Sequence, residues 1–598
     1  MRSRRTVGLP PLRPAGTLRR GGGARRVDEG RSFGGDRMQV LTVAQMRQAE
    51  AAADAAGHTY ARMMERAGRA VAQEIMRRMP VRGRRILILV GPGNNGGDGL
   101  TAARFLQEAG AEVGCYLLKP REETDPVLQA ARAAGCFIAQ APDDRTGRVL
   151  RLWLRSTAVV VDALLGTGTA RPLEGDLLRI LQAVRAEVSE RRPWPASFFA
   201  PGPPLIPAGL IDRTPPEPWL VAVDGPTGMH YDTGGLDPHA FHADLTVTFA
   251  YPKVGHFRFP AAHAVGELVV ADIGIEPKWV PEAAFEVMDA AMAQAWRPPR
   301  PADAHKNTFG KVAVVAGSVH YPGAPVLAAQ AAARAGAGWV TLAVPRSIYP
   351  VLAARTAEIT YLLLPDELGV LVPDAVEVLG RALEGYAALV LGPGLTQEKE
   401  AVAFVHHMFG MEPAAKRGRI GFQVEETPAR PPAPANRWPP LVVDADGLNA
   451  LAQARDWAAR LPGPAILTPH PGEMARLTGL PKAAIEEDRL GTARRFAQEW
   501  GHVVVLKGAF TVVAAPDGRA LVMPFANPAL ATAGTGDVLA GILAALRAQG
   551  LPPFEAAALG TYLHGLAGEL ARREIGAAGV VAGDLIPRLP LVRRALDS

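Results

Sequence analysis

The chain has 598 residues, of which 48% are hydrophobic, 21% charged and 6% aromatic, a composition that is ordinary for a folded globular protein. Its net charge of +6 lies in one place: residues 1–37 hold ten Arg, no Lys and three acids, a charge of +7, so the remainder of the chain carries −1. A near-neutral body gives little support to nucleic-acid binding, which needs a basic face on the folded domain. The absence of an apolar run of about 18 residues argues against an integral membrane protein.

The first 37 residues differ in composition from everything that follows. They are rich in Arg, Gly and Pro, as expected of a disordered tail, a transit-type peptide or upstream sequence translated in error before Met38. We favour the last of these, because Met38 leads directly into an amphipathic helical pattern. The only cysteines are Cys115 and Cys136, too few for a disulfide framework or a cysteine-rich metal site. A cytoplasmic location fits that usage.

Two segments, 40–278 and 300–590, alternate short Val/Ile/Leu runs with helical Ala/Leu/Arg patterns. Such alternation predicts βαβ units, hence an α/β fold with two domains and largely parallel sheets. We expect a tail over 1–37, domains over 38–278 and 302–598, and a linker over 279–301 that ends in a proline-rich stretch. Proline-dense stretches at 187–218 and 413–440 are predicted to be surface insertions.

The first motif follows the apolar run Arg85–Val90, which reads as a strand. The loop GPGNNGGDG (Gly91–Gly99) comes next, and a helical pattern begins at Leu100. Glycines permit close backbone approach, and a helix N-terminus offers free N–H groups to a phosphate. The loop satisfies G-x-G-x-x-G, but no acidic residue stands about 20 positions later to bind a ribose, so a conventional dinucleotide fold is not supported.

The denser pattern NNGGDG (94–99) resembles the NAD(P)H-hydrate epimerase family. Further motifs of that family follow in order; they are RMMERAG (62–68), VVDALLGTGTARPLEG (160–175), VAVDGPTGM (221–229), ADLTVTF (243–249) with PKVG (252–255), and ADIGI (271–275). This resemblance implies a Rossmann-like three-layer α/β domain. The chain departs from the family at two positions. It has Gly225 where the family usually has an aliphatic residue, and Thr227 where the family usually has Ser; threonine keeps the hydroxyl group.

The resemblance also assigns residues to roles in the first half. The implied contacts to the hydrated nicotinamide nucleotide are Asn94, Asn95, Gly96, Gly97, Asp98, Gly166, Thr167, Gly168, Thr169, Ala170, Arg171, Pro172 and Asp224. The implied ligands of a K⁺ ion are Asn95, Asp162 and Thr227, an oxygen-only set that suits a hard cation. Asp98 is our candidate acid/base, because epimerisation moves a proton or hydroxyl and few other ionisable groups lie in these motifs.

In the second half, ATAGTGDVLAGI (531–542) reads as a glycine-rich turn entering an apolar helix. N–H groups at such a helix start stabilise a phosphoryl group, and Asp537 beside them is placed to deprotonate a hydroxyl. This turn resembles ribokinase-like kinases. The motifs HKNTFG (305–310), LGPGL (391–395), VDADGLN (443–449), TPHPGE (468–473) and KGAFT (507–511) narrow the resemblance to ADP- or ATP-dependent NAD(P)H-hydrate dehydratases, with departures at Asn307 and Thr396, where the family often has Gly.

The second resemblance implies a ribokinase-like α/β domain with its own contacts. Those to the hydrated cofactor are Ala324, Gly394, His470 and Asp537, and those to ADP or ATP with Mg²⁺ are Lys507, Gly508, Ala509, Phe510, Thr511 and Gly536. Asp537 would be catalytic. Glu473 has an alternative role as the cap of the helix that follows it.

Together the motifs indicate a bifunctional enzyme that epimerises hydrated NADH and NADPH (NADHX and NADPHX) and dehydrates one epimer. We expect small-molecule partners only, with neither nucleic acid nor membrane, and a homo-oligomer. One alternative is a small-molecule kinase in the second half, which would accumulate a stable phosphorylated product. Another is a non-catalytic binding or dimerisation module in the first half, although the retained polar loop residues argue against it.

Removal of residues 1–37 is expected to leave both activities intact, because this polar, arginine-rich tail lacks the periodicity needed to pack against a core. Epimerisation and dehydration rates of the truncated and full-length chains would be compared directly. Loss of folded protein on truncation would contradict the expectation.

Overall fold

The strand Arg85–Val90 shows how the first half is layered. Ile86, Ile88 and Val90 pack into one hydrophobic cluster, whereas Leu87 and Leu89 pack into another on the opposite face. All five are buried, as expected for a parallel strand covered by helices on both sides. The computed structural model describes residues 38–167, 172–195, 198–210, 214–411 and 438–597.

In these described ranges, the first half forms an eight-stranded, wholly parallel sheet of order β4-β3-β2-β5-β7-β8-β9-β6. The strands up to residue 271 are β1 Gln39–Val40, β2 Arg85–Val90, β3 Glu112–Leu117, β4 Phe137–Gln140, β5 Val159–Ala163, β6 Phe199–Pro201, β7 Trp219–Val223, β8 Leu245–Phe249 and β9 Gly266–Ala271. The helices are α1 Val43–Ala55, α2 Tyr60–Arg78, α3 Asn94–Glu108, α4 Pro126–Ala133, α5 Arg148–Leu154, α6 Gly175–Arg191 and α7 Ala262–Val265. The predicted three-layer α/β fold of this half is confirmed.

The second half is built on an eleven-stranded sheet of order β1-β10-β21-β20-β19-β18-β17-β16-β11-β12-β13 within the described residues. The strands from residue 285 onward are β10 Phe285–Val287, β11 Lys311–Val315, β12 Trp339–Pro345, β13 Thr360–Leu364, β14 Asp366–Glu367, β15 Val370–Leu371, β16 Ala388–Leu391, β17 Leu441–Val443, β18 Ile466–Leu467, β19 Val503–Leu506, β20 Val512–Ala514 and β21 Ala520–Val522. Strands β11 to β13 and β16 to β19 pair in parallel, while β20 is antiparallel to both neighbours. The predicted α/β class of this half is confirmed.

Helices cover both faces of this second sheet. They are α8 Ala290–Ala295, α9 Gly323–Arg334, α10 Tyr349–Ala353, α11 Ala375–Ala382, α12 Lys399–Phe409, α13 Asp446–Leu451, α14 Trp457–Arg460, α15 Pro471–Thr478, α16 Lys482–Glu487, α17 Arg489–Trp500, α18 Thr535–Ala548, α19 Pro553–Ile575, α20 Ala582–Leu585 and α21 Leu589–Ala595. Val312 and Val314 pack toward α9, α18 and α19, whereas Ala313 and Val315 pack toward α11 and α12. Where the chain is described, no helix is both long and apolar enough to cross a membrane.

Two segments carry more regular structure than their sequences predict. The predicted linker 279–301 contains β10, which pairs with β21 on one side and with β1 on the other, so it extends the second sheet. The predicted insertion 187–218 contains the end of α6 and β6, an edge strand parallel to β9. Three-residue strands are too short to show an alternating pattern, and an edge strand tolerates proline. Most of the 413–440 insertion lies outside the described residues.

The two halves share a hydrophobic cluster. Phe199, Leu205 and Phe257 of the first half pack with Leu506 and Phe510 of the second. A hydrogen bond of 2.7 Å from the buried Tyr562 hydroxyl to the Leu205 carbonyl also crosses between them. Because these contacts bury apolar side chains from both sides, the described residues of the two halves fold as one continuous structure.

Candidate active sites

The first site lies where β2 enters α3. The helix begins at Asn94 and not at Leu100 as the sequence suggested, so residues 94–98 form its first turn. The glycines explain this early start, since a Cβ on Gly96 would collide with the Gly91 carbonyl and one on Gly99 would lie 2.5 Å from the Ala163 Cβ. Small residues therefore let the helix pack directly on the strand ends.

Asp162, at the end of β5, is completely buried and bound to the loop that follows β7. Its carboxylate accepts hydrogen bonds from the Thr227 backbone N–H at 2.8 Å and the Thr227 hydroxyl at 2.7 Å. Burial raises its pKa to about 6, although the Thr227 and Leu164 hydrogen bonds oppose that rise. These bonds fix the two loops against each other.

Asn95 belongs to the same region. A Cβ on Gly166 would lie 3.2 Å from the Asn95 Cβ, so the loop after β5 touches the first turn of α3. The Asn95 side chain is buried, and its amide nitrogen has no hydrogen-bond partner among the described residues. The described part of this loop includes three of the predicted substrate contacts, Gly166, Thr167 and Pro172. The other four, Gly168, Thr169, Ala170 and Arg171, lie outside the described residues.

Asp224 follows β7 and makes the closest ion pair of the first site. Its carboxylate lies 2.5 Å from the Lys253 ammonium and also accepts a hydrogen bond of 2.9 Å from the Thr248 hydroxyl. Lys253 is 2% exposed, and Asp224 adopts a φ of 63°. Despite burial, the lysine keeps the pKa of Asp224 below its usual range. A non-glycine residue in this strained conformation is typical of functional sites.

A neutral histidine holds the same turn. Burial lowers the pKa of His256 to about 3, so the ring is uncharged. Its Nδ1 accepts from the Lys253 backbone N–H at 3.0 Å, which leaves Nε2 to donate to the Asp224 carbonyl at 3.1 Å. This bridge fixes Lys253 relative to Asp224.

Asp98, the candidate acid/base, faces this pair. Burial, followed by the negative charges of Asp224 and Glu50, raises its pKa well above the usual range, and Lys253 offsets only part of that. Glu50, on α1, also has a raised pKa because of burial. A carboxyl group whose pKa is raised in this way is suited to proton transfer. The sequence alone gave no role to Lys253 or Glu50. Lys253 stands in the PKVG motif, but no local pattern indicates that it pairs with Asp224.

The second site repeats this chemistry on another sheet. Asp444 follows β17 and Lys507 follows β19, and their charged atoms lie 2.6 Å apart. The Thr468 hydroxyl donates to the same carboxylate at 2.7 Å, and Glu473 lies 3.7 Å from the Lys507 ammonium. Asp444 is 1% exposed. Although Asp444 stands in the VDAD motif, sequence reasoning gave it no role.

Asp537 lies in the first turn of α18, after Gly534 at φ 91°. Burial and the negative charge of Asp444 raise its pKa to about 7, against the lowering effect of Lys507. A Cβ on Gly536 would lie 3.5 Å from both the Asp444 carboxylate and the Lys507 ammonium. The turn therefore combines free helix N–H groups, one lysine and a carboxyl group that titrates near neutrality.

His470 and Glu473 form a capping box at the start of α15. The His470 ring accepts from the N–H groups of Gly472 and Glu473 at 2.9 and 3.3 Å, and Glu473 accepts from the His470 N–H at 2.8 Å. The alternative capping role for Glu473 is therefore observed. Burial raises the Glu473 pKa to about 7.

Thr396 and Asn307, the two positions where the family often has Gly, differ in backbone conformation and surroundings. Thr396 adopts φ 77°, a conformation that favours glycine, and its strain is offset by hydrogen bonds from its N–H to Asp446 at 2.9 Å and from the Glu398 N–H to its hydroxyl at 3.2 Å. Asn307 lies in a short exposed turn. Nearby, the Ala324 Cβ would be 3.0 Å from a Cβ on Gly394, so these two predicted contacts lie together.

A cavity of about 710 Å³ adjoins the Asp537 turn. Lys507, Gly508, Ala509, Thr511 and Gly536 line it, which are five of the six residues predicted to contact the nucleotide. Phe510 is 6% exposed and packs against aromatic rings of the first half. Cavities of this size accommodate ligands as large as nucleotides.

Two family profiles match the chain. The profile described as YjeF-related protein N-terminus matches residues 60–255, and the profile described as NAD(P)H-hydrate dehydratase matches residues 312–413 and 428–591. A crystal structure of the ADP/ATP-dependent NAD(P)H-hydrate dehydratase from Bacillus subtilis, co-crystallised with ATP and Mg²⁺, is 31% identical, with 51% of this chain and 97% of that chain covered and a TM-score of 0.41.

Curated relatives named bifunctional NAD(P)H-hydrate repair enzyme Nnr include proteins from Moorella thermoacetica and Escherichia coli. The Moorella thermoacetica protein is 40% identical, over 90% of this chain and 92% of its own length. The Escherichia coli protein is 33% identical, over 90% of both chains. Identity of this degree over nearly the whole length shows that the chain belongs to the family of bifunctional NAD(P)H-hydrate repair enzymes.

Proposed function

We propose that the first half interconverts the epimers of hydrated NADH and NADPH, and that the second half dehydrates one epimer at the expense of ADP or ATP. The observation that carries this proposal is the recurrence, in each half, of a lysine paired with a buried aspartate beside a carboxyl group of raised pKa. Asp224 and Lys253 stand beside Asp98, and Asp444 and Lys507 beside Asp537. Each half therefore has its own proton-transferring group.

In the epimerase site, Asp98 exchanges a proton with the hydrated ring while Lys253 keeps Asp224 ionised. The ionised Asp224 is positioned to accept hydrogen bonds from substrate hydroxyls. Asn95 in the first turn of α3, Asp162 at the end of β5 and Thr227 after β7 belong to segments that contact one another. Their amide, carboxylate and hydroxyl oxygens form a donor set that fits K⁺. When bound, the ion would supply a fixed positive charge that holds these segments together.

In the dehydratase site, the difficulty is the leaving group, since hydroxide leaves carbon 6 poorly and phosphate leaves readily. Asp537 accepts the proton of the carbon-6 hydroxyl while the oxygen of that hydroxyl attacks the terminal phosphoryl group of the nucleotide. The attack releases AMP from ADP or ADP from ATP. N–H groups at the start of α18 stabilise the developing charge. The ring-nitrogen lone pair then expels phosphate, and loss of a proton from carbon 5 restores the dihydronicotinamide.

The nucleotide of the second reaction is expected to bind together with Mg²⁺. Mg²⁺ binds nucleotide phosphates together with one or two carboxylates, and Asp444, beside Gly536, is a suitable protein ligand. The metal would neutralise charge on the transferred phosphoryl group.

We place the enzyme in the cytoplasm, acting on NADHX and NADPHX, and expect it to be a homo-oligomer.

Asp537→Asn is expected to abolish dehydration and to leave epimerisation unchanged, because the amide cannot accept the hydroxyl proton and the other proton-transferring group lies on a different sheet. Recovery of reduced-nicotinamide absorbance measures dehydration, and chromatographic separation of the epimers measures epimerisation. The exposed Asp303→Asn is the matched control, with both rates at wild-type level. Equal loss of both rates in Asp537→Asn would contradict the assignment, and accumulation of a stable phosphorylated product would favour a kinase.

Dehydration is expected to depend on pH through Asp537. Its raised pKa of about 7 means that the basic, deprotonated form predominates above neutrality and is lost below it. The initial rate at saturating nucleotide should therefore be constant above about pH 7 and fall about tenfold per pH unit below that value. A profile that stays flat to pH 5 would exclude Asp537 as the base.

Asp162→Ala is expected to separate the two activities in a mixture of epimers. A pocket that fixes the direction of phosphoryl attack should accept only one epimer, so the variant should show a fast phase at wild-type speed and a second phase at the slow spontaneous rate of epimerisation. Asp162→Asn preserves the shape of the buried site, and the exposed Asp143→Ala serves as control. A single fast phase to completion in Asp162→Ala would show that the first half is not the epimerase.

A further inference from the structure

The cavity beside Asp537 is bounded by both halves of the chain. The second half contributes Lys507, Thr511 and Gly536, and the first half contributes an aromatic wall, which we define as Phe198, Phe259 and His263. The Phe259 and His263 rings pack with centroids 4.5 Å apart. A site for the second reaction thus includes side chains that lie in the sequence of the first half.

Two kinds of surface meet in this cavity. Lys507 and the first turn of α18 attract phosphoryl oxygens through charge and free N–H groups. The aromatic wall instead offers flat apolar faces, and Phe259 remains 44% exposed although it is a large hydrophobic residue. Aromatic faces stack on nucleobases irrespective of hydrogen-bond pattern. An adenine nucleotide satisfies both surfaces, since it is anionic at one end and planar at the other.

The first half also holds the conformation of the nucleotide loop. Phe510, in the middle of Lys507–Thr511, adopts φ 52°, which an aromatic residue maintains only when packing over-determines it. Its ring packs edge-on against Phe199 and Phe257, with centroids 4.9 and 5.5 Å away, and lies 5.6 Å from Phe259. All three of these neighbours belong to the first half.

Contacts from the second half fix the wall in turn. The Arg572 guanidinium, on α19, lies 5.9 Å from the centre of the Phe198 ring, and Arg572 is itself paired with Glu569 at 2.5 Å. The wall is therefore tied to a helix that lines the same cavity, and not only to its own half.

We propose that the first half completes the nucleotide site of the second: the aromatic wall contacts the purine base and determines nucleotide affinity. This proposal rests on the nucleotide-dependent dehydration proposed above. It implies that the two halves are fused for a reason beyond sequential chemistry, because the dehydratase uses side chains of the epimerase half to bind its phosphoryl donor.

The test uses the full-length chain with Phe198→Ala, Phe259→Leu and His263→Ala, each in the first half and none in a catalytic role. We expect the dissociation constant for ADP, measured calorimetrically, and the KM for ADP to rise in all three variants, roughly tenfold in Phe198→Ala and Phe259→Leu, as loss of a base-stacking ring does. Inhibition by tripolyphosphate, which lacks a base, and the epimerisation rate should not change. Phe137→Ala and His239→Ala, exposed residues outside the cavity, are matched controls at wild-type affinity.

Gly536→Val separates failure of this inference from failure of the proposed nucleotide site. If Gly536→Val weakens ADP binding while the three wall variants bind normally, the nucleotide site stands and the inference is wrong. If none of the four variants changes ADP affinity, both are wrong. Equal weakening of ADP and tripolyphosphate by the wall variants would show a general loss of structure and would also overturn the base-stacking role.

Discussion

Both candidate sites depend on the same physical constraint, a lysine that pairs closely with one aspartate and leaves a neighbouring carboxyl group unpaired. A buried charge is costly unless it is paired. Lys253 pairs with Asp224 and Lys507 with Asp444 at distances of 2.5 and 2.6 Å. The remaining carboxyl groups, Asp98 and Asp537, experience burial and the negative charge of the paired aspartate, so the pKa of each rises. One charge arrangement therefore leaves each half with a carboxyl group whose pKa is raised above its usual value, in the second half to about 7.

Parallel sheets supply the positions that this arrangement needs. Asp162, Asp224 and Asp444 each stand at the carboxyl end of a strand, where α/β proteins bind ligands. In both halves a helix starts beside these ends, α3 in the first and α18 in the second, and glycines at the start allow the helix to approach closely. In the epimerase half Asp224 adopts a positive φ, and in the dehydratase half Phe510 does so. Contacts from residues outside each loop hold these two conformations in place.

The sequence predicted the fold class, the two α/β halves and the motif loops, because strand periodicity and glycine-rich turns are local signals. It also drew attention to Asp98 and Asp537, whose motifs are dense, and the catalytic roles assigned to them stay predictions. It did not predict the pairing of Lys253 with Asp224 or Lys507 with Asp444, since partners 29 and 63 residues apart have no common local pattern. Strands β6 and β10 were likewise missed because three residues acquire strand geometry only from their neighbours in the sheet. The start of α3 was placed late because glycines usually disfavour helix, and here tertiary packing reverses that preference.

One chain is expected to carry out both halves of the repair. The most direct measurement is to incubate the wild-type protein with a mixture of both hydrate epimers and follow the reduced-nicotinamide absorbance, with ADP, with ATP and with no nucleotide. We predict complete recovery with at least one of the nucleotides and none above the spontaneous rate without it. Recovery that stops at the fraction of one epimer, or that proceeds equally without nucleotide, would contradict the account.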